Sequence, residues 1–292
     1  MISFPNCKIN LGLNIIRKRA DGYHDLETVF YPVKLRDVLE VVPMDVRQER
    51  IENRLQSTVY SPQLTVSFST TGLNINGDQN NNLCIKAYHL LQKDFQSLPP
   101  IKMHLHKTIP MGAGLGGGSA DGAFTLKLLN DKFNLNLSTD QLVHYALQLG
   151  SDCPFFIINQ PCFANSRGEV LEKISLDLSA YKFIIVNPGI HISTVWAFAQ
   201  IIPQQPAISI KDIIHQPLNK WKGLLKNDFE AAVMKVYPSI QQIKEQLYNA
   251  GAVYVSMTGS GSTLFGIFEK DHAVKINFPS EYFTQILESC FI

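Results

Sequence analysis

Pro110-Met111-Gly112-Ala113-Gly114-Leu115-Gly116-Gly117-Gly118-Ser119-Ala120 concentrates the glycines of this chain in one short run between two regular elements. Before it, Ile101 to Ile109 alternates apolar and polar side chains with period two, the mark of a strand. After it, Ala120 to Leu129 carries small and apolar residues at helical spacing. Strand, glycine loop and helix are therefore contiguous. Glycine lets the main chain come close to a ligand, and the unpaired N–H groups of a helix's first turn favour an anion. The segment reads as a phosphate-binding loop. A bare turn would give up chain order at so many glycines without return.

Two better-known phosphate motifs compete for this stretch. No Gly-Lys-Ser or Gly-Lys-Thr closes the loop, so the lysine and the magnesium-binding hydroxyl of a P-loop are missing from their places. Gly112 to Gly117 does match the dinucleotide spacing G-x-G-x-x-G. That fingerprint also needs a buried strand after the helix, ending in an acid that binds ribose. Here Asn130 to Ser138 is polar and leads into another helix, so the dinucleotide reading ranks low.

At 292 residues the chain is long enough for two domains, and 45% hydrophobic content is ordinary for a globular protein. The formal net charge of +1 gives no broad attraction to nucleic acid or an anionic membrane, so any phosphate binding must be local. Cys7, Cys84, Cys153, Cys162 and Cys290 are odd in number and scattered, which suggests neither a disulfide framework nor a zinc site and fits a reducing cytosol. Pro5 and Lys8 stand where a signal peptide would place its apolar core, and no apolar run approaches spanning length. A cytoplasmic protein without membrane partner is expected.

Lys8 to Ile15, Leu26 to Tyr31 and Val38 to Val42 read as strands, with a turn at Gly22-Tyr23-His24. The polar stretch from Asp45 to Gln63 reads as a hairpin tip or loop. Asn81 to Phe95 is predicted to be a helix, and Ser138 or Thr139 should cap another that stops at Gly150. Tyr181 to Val186 reads as a buried strand ended by the turn Asn187-Pro188-Gly189. Helical patterns cover Val195 to Ile201 and Asp228 to Gly251. Strands Ala252 to Met257 and Thr263 to Phe268 flank a second glycine turn, Thr258-Gly259-Ser260-Gly261-Ser262. Strands and helices alternate without regular βαβ spacing, which predicts an α+β fold.

Three stretches in order carry a family likeness. Pro110 to Ala120 resembles the phosphate loop of the GHMP kinases, the superfamily of galactokinase, homoserine kinase and mevalonate kinase. Cys7-Lys8-Ile9-Asn10-Leu11 and Met257 to Thr263 resemble that superfamily's first and third motifs. Arg19 to His24 and Gly150-Ser151-Asp152-Cys153-Pro154-Phe155-Phe156 narrow the resemblance to its branch in the non-mevalonate isoprenoid route. Departures are small: cysteine at Cys7 and Cys153 where that branch usually has alanine and valine, and a longer segment around Asp45 to Gln63.

The resemblance implies an N-terminal, ATP-binding domain over 1–177, like ribosomal protein S5 domain 2, and a ferredoxin-like domain over 178–292. It implies transfer of the γ-phosphoryl of ATP, with magnesium, to the 2-hydroxyl of 4-diphosphocytidyl-2-C-methyl-D-erythritol. Asp152 is then the general base and Lys8 the cation beside it, although taken alone such a pair could equally be a structural ion pair. Tyr23 and His24, an aromatic face and an imidazole in one turn, can bind a pyrimidine. The resemblance adds Phe198 to the other face of the base, with Trp196 a weaker candidate, and Asn10 and Thr194 as polar contacts. Ordinary core packing is the alternative for the aromatics. Ser119 could cap its helix or reach a phosphate or magnesium. No carboxylate cluster converges near the motifs, so magnesium is expected mainly on the nucleotide's own oxygens, with no protein metal ligand assigned. His104 and His106 share one strand face and lack metal spacing. Other acceptors (mevalonate, homoserine, a sugar) and an RNA-binding S5-like protein remain as rival functions, and the chain is expected to be a monomer or homodimer.

Overall fold

The computed structural model describes residues 1–44 and 65–288, so the expected loop from Asp45 to Gln63 and Cys290 lie outside the described residues. The chain divides into two compact units.

The first unit comprises Met1–Pro5, Arg36–Thr108 and Gly118–Ile157. Its sheet runs in the order β1 (Ile2–Ser3), β4 (Val38–Pro43), β6 (Ile101–Lys107), β5 (Val66–Gly72), with only the β5/β6 pair parallel. The period-two pattern of β6 does what it predicts: Ile101, Met103 and Leu105 are buried. His104 and His106 face outward, bonded to Ser69 and Thr71 of β5. Helix α1 (Leu83–Asp94) starts at Asn82, whose side chain accepts the Cys84 N–H. Helix α3 (Thr139–Leu149) begins with a full capping box between Ser138 and Gln141 and ends at Gly150. Between them α2 (Gly117–Phe133) starts inside the glycine run, earlier than the apolar pattern suggested. Helix α4 (Cys153–Ile158) follows two residues after Gly150 and is wholly apolar.

The second unit comprises Asn6–Leu35, Ile109–Gly117 and the chain from Ile158 onward. One sheet has the order β2 (Asn6–Lys18), β3 (His24–Arg36), β7 (Cys162–Ser166), β8 (Val170–Lys173). The other is antiparallel throughout, in the order β10 (Tyr254–Met257), β11 (Leu264–Glu269), β9 (Tyr181–Asn187), β12 (Phe283–Glu288). Phe183 to Val186 within β9 is apolar without interruption because both faces of the strand are covered there. Phe183 and Ile185 pack into a core with Ile9, Leu11, Val29 and Trp221, while Ile184 and Val186 join Phe229, Val233, Ile240 and Leu247.

Helices α5 (Thr194–Ala199) and α6 (Ile210–Ile214) are short. The single helical pattern read from Asp228 to Gly251 is two helices, α7 (Phe229–Val236) and α8 (Pro238–Asn249). Pro238 lacks the N–H that a continuous helix needs, and it holds Tyr237 at φ −123, ψ 80, outside helical space.

Candidate functional site

In the second unit, alternation along β2 sends Cys7, Ile9 and Leu11 into the core and puts Lys8 and Asn10 together on the opposite face. Lys8 is 4% exposed, its Nζ donating to Asn10 Oδ1 at 2.7 Å and lying 4.7 Å from the centre of the Phe30 ring. Asn10 Oδ1 also accepts the Gly259 N–H at 3.0 Å, and Asn10 Nδ2 donates to Thr28 Oγ1 at 3.0 Å. The Asn10 N–H donates to Thr258 Oγ1 at 3.0 Å. That hydroxyl has one proton and two acceptors in reach, Asn10 Oδ1 at 3.1 Å and Gly114 O at 3.0 Å. Since Lys8 and Gly259 already occupy the two lone pairs of Oδ1, the proton goes to Gly114. Asn10 is thus the buried knot that joins Lys8 to the second glycine turn, and Thr258 carries the connection on to the glycine loop.

The loop itself is held by its apolar residues. Ile109, Ala113 and Leu115 are buried in the core, and Leu115 O accepts the Lys8 N–H at 3.0 Å. Met111 and Gly112 face solvent, Pro110 is half-buried, and Gly114 and Gly116 are half-buried between the anchors. Gly114 has φ +76, and a Cβ on it would sit 2.1 Å from the Thr258 carbonyl oxygen. Glycine is required there by contact and by backbone alike.

In the first unit the loop passes through Gly117 and Gly118 into α2, with Ser119 half-buried and Ala120 buried. The Ser119 hydroxyl bonds to the thiol of Cys153, which burial pushes up to about 12, so that sulfur stays protonated. Asp152, half-buried, precedes Cys153 in the turn that joins α3 to α4, closed by the Cys153 N–H on Gly150 O at 3.1 Å. Ser119 and the Asp152 turn are therefore neighbours within this unit. Also in the first unit, Lys107 Nζ lies 2.5 Å from Asp37 Oδ2 and 2.7 Å from Asp121 Oδ2, all three side chains buried. Asp37 Oδ1 also takes the Thr108 N–H at 2.6 Å. One cation at the end of β6 thus joins Asp37 to Asp121 in the first turns of α2. Burial, with Asp37 adding to it, holds the Asp121 carboxyl well above its ordinary range despite Lys107, and its Oδ1 has no hydrogen-bond partner among the described residues.

Back in the second unit, the His24 and Phe198 rings stack with centroids 4.7 Å apart and planes 19° from parallel. Burial, aided by Lys18, lowers the His24 pKa below its ordinary value. Phe198 meets Phe229 edge-on at 5.0 Å, whereas Trp196 turns toward Tyr237. Tyr23 is 57% exposed and carries the Arg167 guanidinium over its ring at 5.1 Å. Thr194 opens α5 with its hydroxyl 3.3 Å from that of Ser260 in the glycine turn. Lys8, Asn10 and the two glycine segments therefore form one bonded network, to which Thr194 adds its contact with Ser260, while His24 and Phe198 form a second cluster. From sequence, Thr258 counted only as part of the second glycine turn that the resemblance sets facing the glycine loop, and Arg167 and Lys107 with its two aspartates carried no role. Lys107 and Asp121 carried a signal, since charges stand at each end of an apolar and glycine-rich run, but only folding shows that they meet.

A glycine loop bonded to a buried lysine belongs here to a chain that matches one class of phosphotransferase. The GHMP kinases N terminal domain matches residues 82–160, and the GHMP kinases C terminal domain matches residues 209–276. The chain is a GHMP kinase of two-domain α+β fold, taking ATP as its phosphoryl donor. A 4-diphosphocytidyl-2-C-methyl-D-erythritol kinase of Bacteroides fragilis is 47% identical over 97% of both chains, and one of Bacteroides thetaiotaomicron is 51% identical over 93% of both. The crystal structure of a 4-(cytidine 5'-diphospho)-2C-methyl-D-erythritol kinase superposes with a TM-score of 0.76 at 26% identity, covering 99% of this chain and 100% of that one. At the level of fold alone, the mevalonate kinase of Methanococcus jannaschii matches 99% of this chain and 98% of its own with a TM-score of 0.68 at 14% identity. The chain belongs to the 4-diphosphocytidyl-2-C-methyl-D-erythritol kinase family. Among the described residues, no helix is long and apolar enough to cross a membrane.

Proposed function

We propose that this enzyme transfers the γ-phosphoryl group of ATP to the 2-hydroxyl of 4-diphosphocytidyl-2-C-methyl-D-erythritol, with Asp152 as general base and Lys8 as the positioning cation. Asp152 takes the hydroxyl proton as the oxygen attacks the γ-phosphorus, and the bond from that phosphorus to the β-phosphate bridge oxygen breaks to release ADP. Lys8 lowers the energy of the charge that spreads over the transferring oxygens. The residues from Pro110 to Ala120 cradle the nucleotide's phosphates with main-chain N–H groups. Ser119, a hydroxyl at the start of α2, is the hard oxygen this chain offers beside those phosphates, so it suits a magnesium ion held mainly by the nucleotide. When bound, that ion supplies charge neutralisation.

The observation that carries the reading is the knot at Asn10, which ties a buried lysine to both glycine segments of one unit. The choice of acceptor rests on the aromatic cluster: His24 and Phe198 stack on one another and Tyr23 stands exposed nearby in sequence, a set suited to a flat base. Thr194 and Asn10 serve the polar part of the acceptor, Asn10 through Lys8.

The finer domain description follows the same reading. A boundary near residue 177 leaves the two matched family segments on either side. The order β12-β9-β11-β10, read in chain order as 4-1-3-2, supports assigning the C-terminal part a ferredoxin-like label, and we assign the S5-like label to the N-terminal part. The described cysteines are all free and buried, in keeping with a reducing cytosol. We assign no nucleic-acid partner, and a monomer or homodimer. An acceptor panel with coupled ADP detection tests the function. Turnover should require the cytidyl compound, and turnover of mevalonate, homoserine or galactose in its place would overturn the assignment.

A further inference from the structure

His191 lies between two residues fastened to the second glycine turn. The Ile190 carbonyl accepts the Ser262 hydroxyl at 2.6 Å. Ile192 is 3% exposed, and its Cδ1 lies 2.9 Å from where a Cβ on Gly261 would stand. Asn187, at the start of the same segment, donates to Thr263 Oγ1 at 2.8 Å and accepts the Gly189 N–H at 2.9 Å. With both neighbours committed to the turn, the imidazole projects onto the glycine loop. Its Nδ1 and Cε1 lie 3.4 and 3.7 Å from the Cβ position of Gly112, a residue at φ +62. The ring is exposed, and among the described residues no side chain or carbonyl takes up either of its nitrogens.

We infer that His191 is a phosphate-contacting residue that donates an imidazole N–H to a phosphoryl oxygen held over Gly112. The inference rests on the phosphate-loop reading above and extends it to a residue outside the glycine segments. Loop amides alone present donors from one side of a bound phosphate. An imidazole carried to the loop on a backbone held by the second glycine turn adds a donor from a separate segment of the same unit. A phosphoryl oxygen comes from either of two sources, the nucleotide or the diphosphate of the acceptor, and the two are separable.

The test uses the full chain with His191→Ala and His191→Gln, the second retaining an N–H donor. The affinity for the non-hydrolysable ATP analogue AMPPNP is measured by calorimetry, and KM for the cytidyl acceptor by steady-state kinetics. The Ala variant should weaken one of these constants about 10- to 100-fold, the loss of a hydrogen bond to a charged group, and the Gln variant should recover most of it. A loss in AMPPNP affinity assigns the contact to the nucleotide, and a loss in acceptor KM assigns it to the acceptor diphosphate. Both variants should melt within about 2 °C of the parent, because the side chain is exposed. Constants within twofold of the parent in both arms, or a Gln variant as impaired as the Ala variant, would overturn the inference. A parent enzyme that binds no AMPPNP would instead remove the kinase reading beneath it.

Discussion

The Thr258 hydroxyl donates to the carbonyl of Gly114 at 3.0 Å, joining two glycine segments 144 residues apart in the chain. The same contact brings the Gly114 and Gly259 backbones so close that a Cβ on Gly259 would lie 3.0 Å from the Gly114 Cα. Side-chain-free residues on both segments are what make this approach sterically possible.

Gly114→Ala should therefore lose both fold stability and nucleotide affinity. The added methyl meets a carbonyl oxygen at 2.1 Å and the backbone is at φ +76, so a cost of about 2–4 kcal/mol is expected. Gly118→Ala is the control. Nothing lies within 4 Å of its Cβ and it is helical, so it should be neutral or gain up to about 1 kcal/mol, read by urea denaturation. Equal loss at both positions would contradict the argument.

Asp152→Asn should lower kcat by about 10²–10⁴-fold, the range a general base supplies, while AMPPNP affinity changes less than about threefold. Single-turnover kinetics beside calorimetry make the check. A variant with near-parental kcat would dismiss Asp152 as the base.

Phe198→Ala and Tyr23→Ala should raise KM for the cytidyl acceptor by about 5- to 150-fold, the span for one base losing an aromatic partner, with KM for ATP unchanged. Stability should separate the two. Phe198 is half-buried against Phe229, so its loss should also lower Tm, whereas the exposed Tyr23 should not.

The lowered pKa of His24 fixes the direction of a pH effect. Burial disfavours the imidazolium, so below the unfolded value of about 6.5 the unfolded chain binds a proton more readily than the folded one. The stability this residue contributes is full above that pH and falls away as pH drops through the folded pKa. Acceptor KM should be flat from pH 8 to 6.5 and rise only at lower pH. A His24→Asn variant should flatten the acid side of both profiles, measured as Tm and KM against pH.

Lys107→Met should be the most damaging of these changes to the fold, costing about 3–5 kcal/mol, because it leaves Asp37 and Asp121 buried without their cation. Asp121→Asn should cost far less. Its carboxyl is already raised by burial and its second oxygen has no hydrogen-bond partner among the described residues, so a neutral amide replaces a group that is poorly suited to its charge. Urea unfolding of both variants gives the comparison.

Short-range features were legible from the residues themselves. Ser138 and Gly150 act on groups within four positions, so the two ends of α3 could be read directly and stand where they were expected. The alternation of β6 and the unbroken apolar run of β9 reported burial on one face and on two. Pro238 was just as local, yet the amphipathic pattern on either side of it read as one helix until the missing N–H split it. Strand β12 and helix α6 carried too weak a periodicity to be seen, because their order comes from the sheet and from Glu27, whose carboxylate accepts the Ile210 N–H and the Ser209 hydroxyl from 183 and 182 residues away.

For the site, residue type and spacing set out the chemistry on offer: a glycine loop fit for phosphate, a lysine and an asparagine two apart on a strand, aromatic residues in a turn. The covalent chain fixes both type and spacing. Folding in three dimensions is what makes Asn10 spend its amide oxygen on Lys8 and Gly259, Thr258 close onto Gly114, Lys107 clasp Asp37 and Asp121, and His24 stack on Phe198. Such bonds join residues tens to hundreds of positions apart. Their partners are selected by packing and by the cost of burying an unsatisfied polar group, neither of which is encoded in any short stretch of the chain.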